Sequence, residues 1–228
     1  MKKKNIFEGY LNAAGFQPPI LWTIPFDNSR ISYNFPTELF ARYQLVSGVR
    51  VCCEIKNDQV VDVISICGKT PEEYLERSDF NKLVPVMPSD KFDFGTSDSL
   101  AVRTIDLIAP IGKGTRGLIV SPPRAGKTML LEAIANDIYR IDPKLHVIIL
   151  LIDERPEEVT SFQQNTKAPV FFSSLDMGAA SHIALSSFLV NHVRTELECG
   201  NDIVILIDSL TRMGRAYNID GNYYNDGI

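Results

Sequence analysis

The sequence has no hydrophobic run long enough to cross a membrane. Its longest uninterrupted apolar run, Val147–Ile152, has six residues, whereas a bilayer-spanning helix needs about 20. Glycine accounts for 14 and proline for 13 of the 228 residues, which is ordinary globular usage and excludes collagen-like and low-complexity chains. Glu8 and Asn12 interrupt any apolar segment behind the basic Lys2–Lys4 run, so we do not expect this run to belong to a signal peptide. We therefore expect a soluble, cytoplasmic protein with no membrane partner.

Cysteine is also scarce. The four residues Cys52, Cys53, Cys67 and Cys199 include no CxxC pair and have no histidine at zinc-ligand spacing. We interpret them as small buried apolar residues in a reducing compartment. The GxSxG and HExxH motifs do not occur either, so a hydrolytic centre has to be of another kind.

The sequence divides into a β-rich part and a part in which strands and helices alternate. Residues 1–70 contain short β-branched and aromatic runs between polar turns, which predict a small β-barrel or sandwich. Residues 71–98 are interpreted as a linker that begins with a short acidic helix after Pro71. Residues 99–228 predict strands over 117–120, 145–152, 170–172 and 203–207, with helices over 127–139, from 156, over 178–199 and after 208. Continuous apolar strands separated by helices are typical of an α/β fold with a parallel sheet covered on both faces.

A phosphate-binding loop is predicted between the first of these strands and the first helix. Ser121–Thr128, SPPRAGKT, matches the P-loop pattern GxxxxGK[ST] except that Ser121 replaces the first glycine. Gly126 allows the backbone to approach a phosphate, and Lys127 neutralises the β- and γ-phosphates. Thr128 offers its hydroxyl to Mg2+. The chain is therefore predicted to bind a nucleotide.

Acidic residues follow the second strand. Burying Asp153 and Glu154 at the end of an apolar strand is costly unless a cation or a reacting water needs them. Glu154 is the candidate base that orients the attacking water, and Arg155 is a candidate charge near the phosphates. Glu157 and Glu158 are explained by the positive end of the next helix alone.

The fourth strand, 203–207, ends in Asp208. An apolar strand that ends in aspartate is the Walker B arrangement, in which the carboxylate holds Mg2+. Arg212, four residues later, is interpreted as a sensor of the γ-phosphate, with a surface charge as the alternative. The sequence thus predicts a centre for Mg2+ and a nucleotide.

These motifs resemble the Rho family of bacterial transcription termination factors over residues 101–219. The similarity is carried by SPPRAGKT, DERPEEV and DIVILIDSLTRMGRAYN. It implies a RecA-like P-loop ATPase core that binds ATP and Mg2+, assembles as a homo-hexamer and pulls on nascent single-stranded RNA. The RNA polymerase complex would be a further partner.

The resemblance also implies roles for particular residues. Glu154 matches the catalytic glutamate of the family, Asp208 its Walker B aspartate, and Arg212 an active-site arginine; Lys127 belongs to the same centre. The residues that would line the nucleotide are Gly112, Lys113, Gly114, Thr115, Arg116, Gly117, Arg124, Ala125, Gly126, Lys127, Thr128, Met129 and Arg155.

Residues 9–66 resemble the OB or cold-shock-like RNA-binding barrel of the family less closely. Tyr10 and Tyr33 match base-contacting positions, and such a ring contributes about 1–3 kcal/mol per stacked base. Glu8 and Asn12 replace a stacking aromatic and an arginine, so weaker RNA binding is expected. In the alternative interpretation, Tyr10 and Tyr33 only pack against the barrel. In the core, Ser181 replaces a family arginine.

The family continues beyond the position that corresponds to Asn218, into channel loops and an arginine finger, which can contribute roughly 10³–10⁵ in rate. We therefore expect a parallel sheet that is incomplete at its C-terminal end. Three interpretations remain open: an RNA-dependent ATPase and translocase, a truncated nucleotide-binding module without turnover, and a subunit of another hexameric P-loop ATPase, such as the rotary type.

Overall fold

A computed structural model describes residues 5–13, 18–23, 31–122 and 125–220, and in it the chain forms two separate sheets. The first is antiparallel, with five strands in the order β3-β2-β1-β4-β5. Its strands are β1 (Asn5–Asn12), β2 (Ile20–Trp22), β3 (Ser32–Asn34), β4 (Arg50–Lys56) and β5 (Gln59–Ile66), with helix α1 (Thr37–Arg42) between β3 and β4. Because β3 also contacts β5, the sheet curls toward closure. It is the OB-like unit that the sequence predicts, and we call it the barrel.

Alternation along β1 decides which side chains fill the barrel. Leu11 is fully buried in the barrel core, and Phe7 packs against the same core. Successive side chains of a strand point to opposite faces, so Glu8 and Tyr10 lie on the outer face of β1. This outer face is turned toward the second sheet.

Between the two sheets the chain contains little regular structure. Helix α2 (Pro71–Leu75) is followed by a 3-10 turn (Phe80–Lys82) and an irregular stretch that leads to α3 (Leu100–Ile108). Thr70 and Glu73 form a capping box that starts α2. The predicted linker over 71–98 therefore includes a short helix whose Tyr74 side chain is fully buried.

The second sheet is parallel, with three strands in the order β7-β6-β8. Its strands are β6 (His146–Glu154), β7 (Val170–Ser174) and β8 (Ile203–Asp208), and its helices are α4 (Lys127–Ile141), α5 (Pro156–Asn165), α6 (Ala179–Glu198) and α7 (Leu210–Asp220). This confirms the predicted α/β class. Within the described part of the chain, no helix is both long and apolar enough to span a membrane.

Both faces of β6 are buried, which explains its continuous apolar run. Val147, Ile149 and Leu151 belong to one core, shared with residues of α4 and α5. Ile148, Leu150 and Ile152 belong to the other core, shared with α6. Every side chain of this strand up to Ile152 except His146 therefore meets a hydrophobic layer.

The strand predicted over 117–120 is not formed. These residues have no regular secondary structure, and the side chains of Leu118 and Val120 are 72% and 84% exposed. A strand needs a partner for its backbone hydrogen bonds, and in the described residues this segment pairs with neither β6 nor β8. The prediction was wrong because it relied on apolar composition alone.

The barrel packs on α6, and we call this contact the barrel–α6 interface. Arg50 Nε lies 2.8 Å from Glu196 Oε1, and His192 Nδ1 is 3.0 Å from the carbonyl oxygen of Gly48. Gly48 has a φ of +99°, and a Cβ there would lie 2.6 Å from the carbonyl oxygen of Phe188. Only glycine allows this turn of the barrel to approach the helix so closely.

Candidate nucleotide site

The predicted phosphate-binding segment lies where α4 begins. Gly126 has a φ of +88°, a left-handed conformation that glycine adopts readily, and α4 starts at Lys127. The first N–H groups of a helix have no intrahelical acceptor, so together with the helix dipole they favour an anion. Ala125 and Thr128 flank this position and Met129 is exposed beside it. Arg124 lies outside the described residues.

Lys127 and Asp208 are brought together by the fold. The Lys127 ammonium forms an ion pair with the carboxylate of Asp208, which is 2% exposed at the end of β8. A buried carboxylate is costly without a cation, and Lys127 supplies one here. The lysine predicted for the P-loop and the aspartate predicted for Walker B are thus in contact, although 81 residues separate them in sequence.

Glu154 ends β6 beside this pair and is 2% exposed. Its Oε1 accepts hydrogen bonds from Arg212 Nη1 at 3.1 Å and from the backbone N–H of Arg155 at 3.2 Å. Arg212 belongs to α7, which directly follows β8. Two of the predicted catalytic residues, Glu154 and Arg212, are therefore in direct contact.

A β-bulge at Asp153 sets the direction of Glu154. The pairing of β6 with β7 shifts register between Ile152 and Glu154, and Asp153 has a φ of +56°. Aspartate tolerates the left-handed region better than most residues. The carbonyl oxygen of Asp153 also accepts a hydrogen bond from Arg212. Bulges near functional sites re-aim side chains, and this one is held by the arginine that contacts Glu154.

Two buried residues on the other side of the bulge, His182 and Ser173, were not predicted as site residues. His182 of α6 is buried, its Nδ1 lies 2.8 Å from Ser173 Oγ, and its Nε2 lies 3.9 Å from Asp153 Oδ1. Ser173 is fully buried in β7. No spacing in the sequence relates these residues, because they come from three different elements. The nearest signal was a histidine on a helix of otherwise apolar pattern.

Glu158 lies within the electrostatic field of the site. Burial raises the pKa of its carboxyl above the usual value, and the charges of Glu154 and Asp208 raise it further. From the sequence, the presence of an acidic residue at position 158 was explained by the positive end of the helix dipole alone. The structure adds that it is a third carboxylate close to the other two.

The remaining predicted nucleotide-lining residues are less closely associated with this centre. The loop Gly112–Gly117 is largely exposed, and Lys113 Nζ lies 3.7 Å from Asp142 Oδ2. Asp142 caps the end of α4 opposite Lys127, about 20 Å away at 1.5 Å per residue. Arg155 lines an open surface cleft of about 490 Å3. The structure therefore supports Lys127 and Thr128 more strongly than Lys113.

The two tyrosines predicted to contact RNA are placed differently. The Tyr10 ring lies edge-on to Phe171, with centroids 5.3 Å apart, and edge-on to His192 at 5.1 Å. These contacts favour the packing interpretation for Tyr10. Tyr33 is half-buried and packs edge-on against Phe7 at 4.8 Å on the barrel.

The residues present suit a magnesium ion. The described part of the chain contains no cluster of three His, Cys, Asp or Glu side chains that could enclose a metal. Nucleotide sites do not need one, because Mg2+ keeps several waters and is held by one or two carboxylates together with substrate phosphates. Asp208 supplies such a carboxylate and contacts Lys127, and Thr128, the next residue of α4, carries a hydroxyl.

Comparison with known proteins shows the family to which the region with these residues belongs. Residues 101–219 match the ATP synthase alpha/beta family, nucleotide-binding domain. The chain is 45% identical over 165 residues to the transcription termination factor Rho of Streptomyces lividans, covering 72% of this chain and 23% of the relative. It is 44% identical over 157 residues to Rho of Karelsulcia muelleri, covering 68% and 41%. The predicted resemblance to the Rho family is confirmed.

These curated relatives are much longer than the chain, which spans 23% and 41% of their lengths. Among solved structures, an ATP synthase subunit from Nanoarcheaum equitans matches with a TM-score of 0.47 at 15% identity, covering 94% of this chain and 55% of that one. This structural likeness is too weak to support an argument.

Proposed function

The chain belongs to the ATP synthase alpha/beta family through its nucleotide-binding domain, and we propose that it is an RNA-dependent ATPase of the Rho type that acts in transcription termination. The observation that carries the proposal is the convergence of Lys127, Asp208, Glu154 and Arg212 where adjacent parallel strands end. Ligands of open α/β sheets bind at this carboxyl edge. The similarity to Rho proteins supports the choice of ATP as nucleotide.

In the proposed complex, the start of α4 and Lys127 bind the phosphates of ATP. Asp208 and the Thr128 hydroxyl would hold Mg2+, which supplies positive charge that offsets the charge developing on the phosphates. The ion pair between Lys127 and Asp208 has to open when ATP binds, because the lysine then donates to a phosphate oxygen. Without ATP, Lys127 and Asp208 compensate each other's charge. With ATP bound, the phosphates would compensate Lys127 and Mg2+ would compensate Asp208, so no buried charge is left unpaired.

Glu154 is proposed as the residue that orients the attacking water and accepts its proton. The carboxylate is held in one orientation by Arg212 and by the backbone N–H of Arg155. Arg212 bridges Glu154 and the carbonyl oxygen of Asp153, so a movement of α7 would change both contacts together. Arg212 is therefore proposed to report the presence of the γ-phosphate to the base.

The RNA-linked part of the proposal rests on the barrel and on the resemblance to Rho. Tyr33 remains the better candidate for stacking on a base, because the ring of Tyr10 already packs against Phe171 and His192. A homo-hexameric ring is proposed for the assembly, as the family resemblance implies. Contact with the RNA polymerase complex belongs to the same proposal.

The test measures ATP hydrolysis by the purified chain with and without single-stranded, C-rich RNA. The chain is compared with Glu154→Gln and with the matched control Glu72→Gln, an exposed glutamate of α2. Nucleotide affinity is measured in parallel with a fluorescent ATP analogue. We expect RNA-stimulated hydrolysis that Glu154→Gln abolishes at nearly unchanged affinity, whereas Glu72→Gln leaves both unchanged.

The other outcomes separate the alternatives. Nucleotide binding without hydrolysis in the wild type contradicts turnover and leaves a nucleotide-binding module. Hydrolysis that RNA does not stimulate favours a different hexameric P-loop ATPase. Equal hydrolysis by Glu154→Gln and the wild type contradicts the role assigned to Glu154.

A further inference from the structure

Two cysteine side chains, one from each side of the barrel–α6 interface, meet in a buried position. Cys67 follows β5 of the barrel, and Cys199 caps the carboxyl end of α6. They are 1% and 5% exposed and belong to the same hydrophobic cluster. The two thiols are near enough that each shifts the pKa of the other, and Asn201, two residues after Cys199, donates a hydrogen bond to the carbonyl oxygen of Cys67. Both thiols are free, so the pair is reduced and in contact.

The backbone around both cysteines is held in place by contacts across the interface. Asn201 Nδ2 donates to the carbonyl oxygen of Cys67 at 2.8 Å and to Glu196 Oε2 at 2.6 Å. Glu198, next to Cys199, accepts a hydrogen bond from Arg77 Nε at 3.0 Å. A disulfide forms without strain only between cysteines whose backbones are already close. The Asn201 contact brings the backbone of Cys67 next to the segment that follows Cys199.

We propose that Cys67 and Cys199 are a redox modification site, at which a disulfide covalently links the barrel to α6. The oxidant is a small disulfide such as oxidised glutathione. The Cys199 thiolate attacks one of its sulfurs, breaks the S–S bond and releases one glutathione thiolate. Cys67 then gives up its proton and attacks the Cys199 sulfur, which displaces the second glutathione thiolate. The two released thiolates take up the two protons, so one disulfide is formed and one is reduced.

The surroundings of Cys199 support its assignment as the attacking residue. The neighbouring Cys67 thiol lowers the pKa of the Cys199 thiol despite burial, and the charge of Arg77 acts in the same direction. The thiolate is the nucleophilic form of cysteine. The pKa of the Cys53 thiol, in contrast, is raised by burial to about 12. The adjacent Cys52 and Cys53 are thus the poorer pair.

Burial predicts that the reaction is slow until the interface opens. Small oxidants reach a thiol only when it is exposed, and both thiols are buried. The backbone N–H of Cys67 donates a hydrogen bond to the carbonyl oxygen of Arg50 at 2.8 Å, so the pair lies close to the ion pair of Arg50 with Glu196. Arg50→Met weakens this contact and is expected to accelerate oxidation severalfold. Once formed, the disulfide holds the barrel on α6 through a covalent bond.

The test incubates the whole chain, without denaturant, in glutathione buffers of increasing oxidised fraction. Remaining thiols are then alkylated in denaturant, and the products are identified by peptide mass mapping. Limited proteolysis provides a second readout, because the exposed stretch Val84–Met87 lies between the two cysteines. We expect a peptide linking Cys67 to Cys199, and two cleavage products that separate only after reduction.

Cysteine-to-serine variants identify which two residues form the disulfide. Cys52→Ser/Cys53→Ser should keep the linked product, and Cys199→Ser should lose it. The proposal is overturned if both thiols stay alkylatable in every buffer, including in the Arg50→Met variant. A Cys52–Cys53 disulfide, an intermolecular disulfide or glutathione adducts alone would overturn it equally. If a variant does not fold, the peptide map of the oxidised wild type alone shows whether Cys67 is linked to Cys199.

Discussion

Arg50→Met should destabilise the folded chain substantially, because it leaves a buried carboxylate without its cation. Glu196 is fully buried, and Arg50 meets it with Nε at 2.8 Å and Nη2 at 3.3 Å. Breaking a buried pair by removing one partner costs about 3–5 kcal/mol. Since Asn201 still donates to Glu196 Oε2 at 2.6 Å, we expect the lower end, about 3 kcal/mol.

The difference in stability between Arg50→Met and the wild type should also depend on pH. Burial opposes ionisation of Glu196, but the hydrogen bonds and charge of Arg50 outweigh it and hold the pKa of Glu196 below its usual value. In the wild type this contribution to stability is present above the unfolded pKa and is lost as the pH falls through the folded pKa. Without Arg50, burial raises the pKa, so the deficit of Arg50→Met should shrink as the pH falls.

Urea unfolding at several pH values measures both effects as free energies of unfolding. Arg42→Met is the matched control, since Arg42 is exposed and lies 5.2 Å from the Tyr43 ring centroid; it should cost less than about 1 kcal/mol. Arg50→Met/Glu196→Gln should be more stable than Arg50→Met, because it removes the unpaired charge. A loss below about 1 kcal/mol in Arg50→Met, or no recovery in the double variant, would refute the reasoning.

Three further predictions concern the candidate nucleotide site and the barrel–α6 interface. Lys127→Ala should weaken binding of a fluorescent ATP analogue about 10- to 100-fold, while the exposed Lys167→Ala should not; equal affinities would contradict a phosphate contact. Gly48→Ala should lower the urea midpoint more than Gly68→Ala, because both residues have positive φ but only at Gly48 would a Cβ collide with α6; equal losses would contradict the close approach. Burial lowers the pKa of His192 to about 4, so the free energy of unfolding should fall by up to about 3 kcal/mol as the pH falls from 6.5 toward 4. His192→Asn should flatten this dependence of the free energy of unfolding on pH. An unchanged dependence in the variant would contradict the assignment.

The nucleotide-binding class could be predicted from the sequence because its signals are local. The P-loop is one contiguous segment, Ser121–Thr128, and a glycine followed by a helix start creates an anion site from backbone geometry alone. Apolar runs that end in Glu154 and Asp208 show where strands end. Since parallel strands share a carboxyl edge, those ends lie together whatever the details of packing.

Other features depend on contacts that no local pattern contains. The pairing of Arg50 with Glu196 joins residues 146 positions apart, and the bulge at Asp153 depends on Arg212. The segment 117–120 has a strand-like composition but no strand partner in the described residues, so it stays irregular. Composition cannot show whether an apolar segment forms a strand, because a strand is stabilised by backbone hydrogen bonds to a neighbouring strand.

Tyr10 shows the same division between sequence and tertiary structure. Its place on β1 and its outward direction follow from strand alternation, which the sequence determines. Whether that outward ring meets RNA or protein depends on what lies opposite, and in this fold Phe171 and His192 do. The sequence by itself determined the nucleotide-binding class and the outward direction of Tyr10 on β1. The tertiary structure decided the partners, because packing joins elements that are remote in the chain.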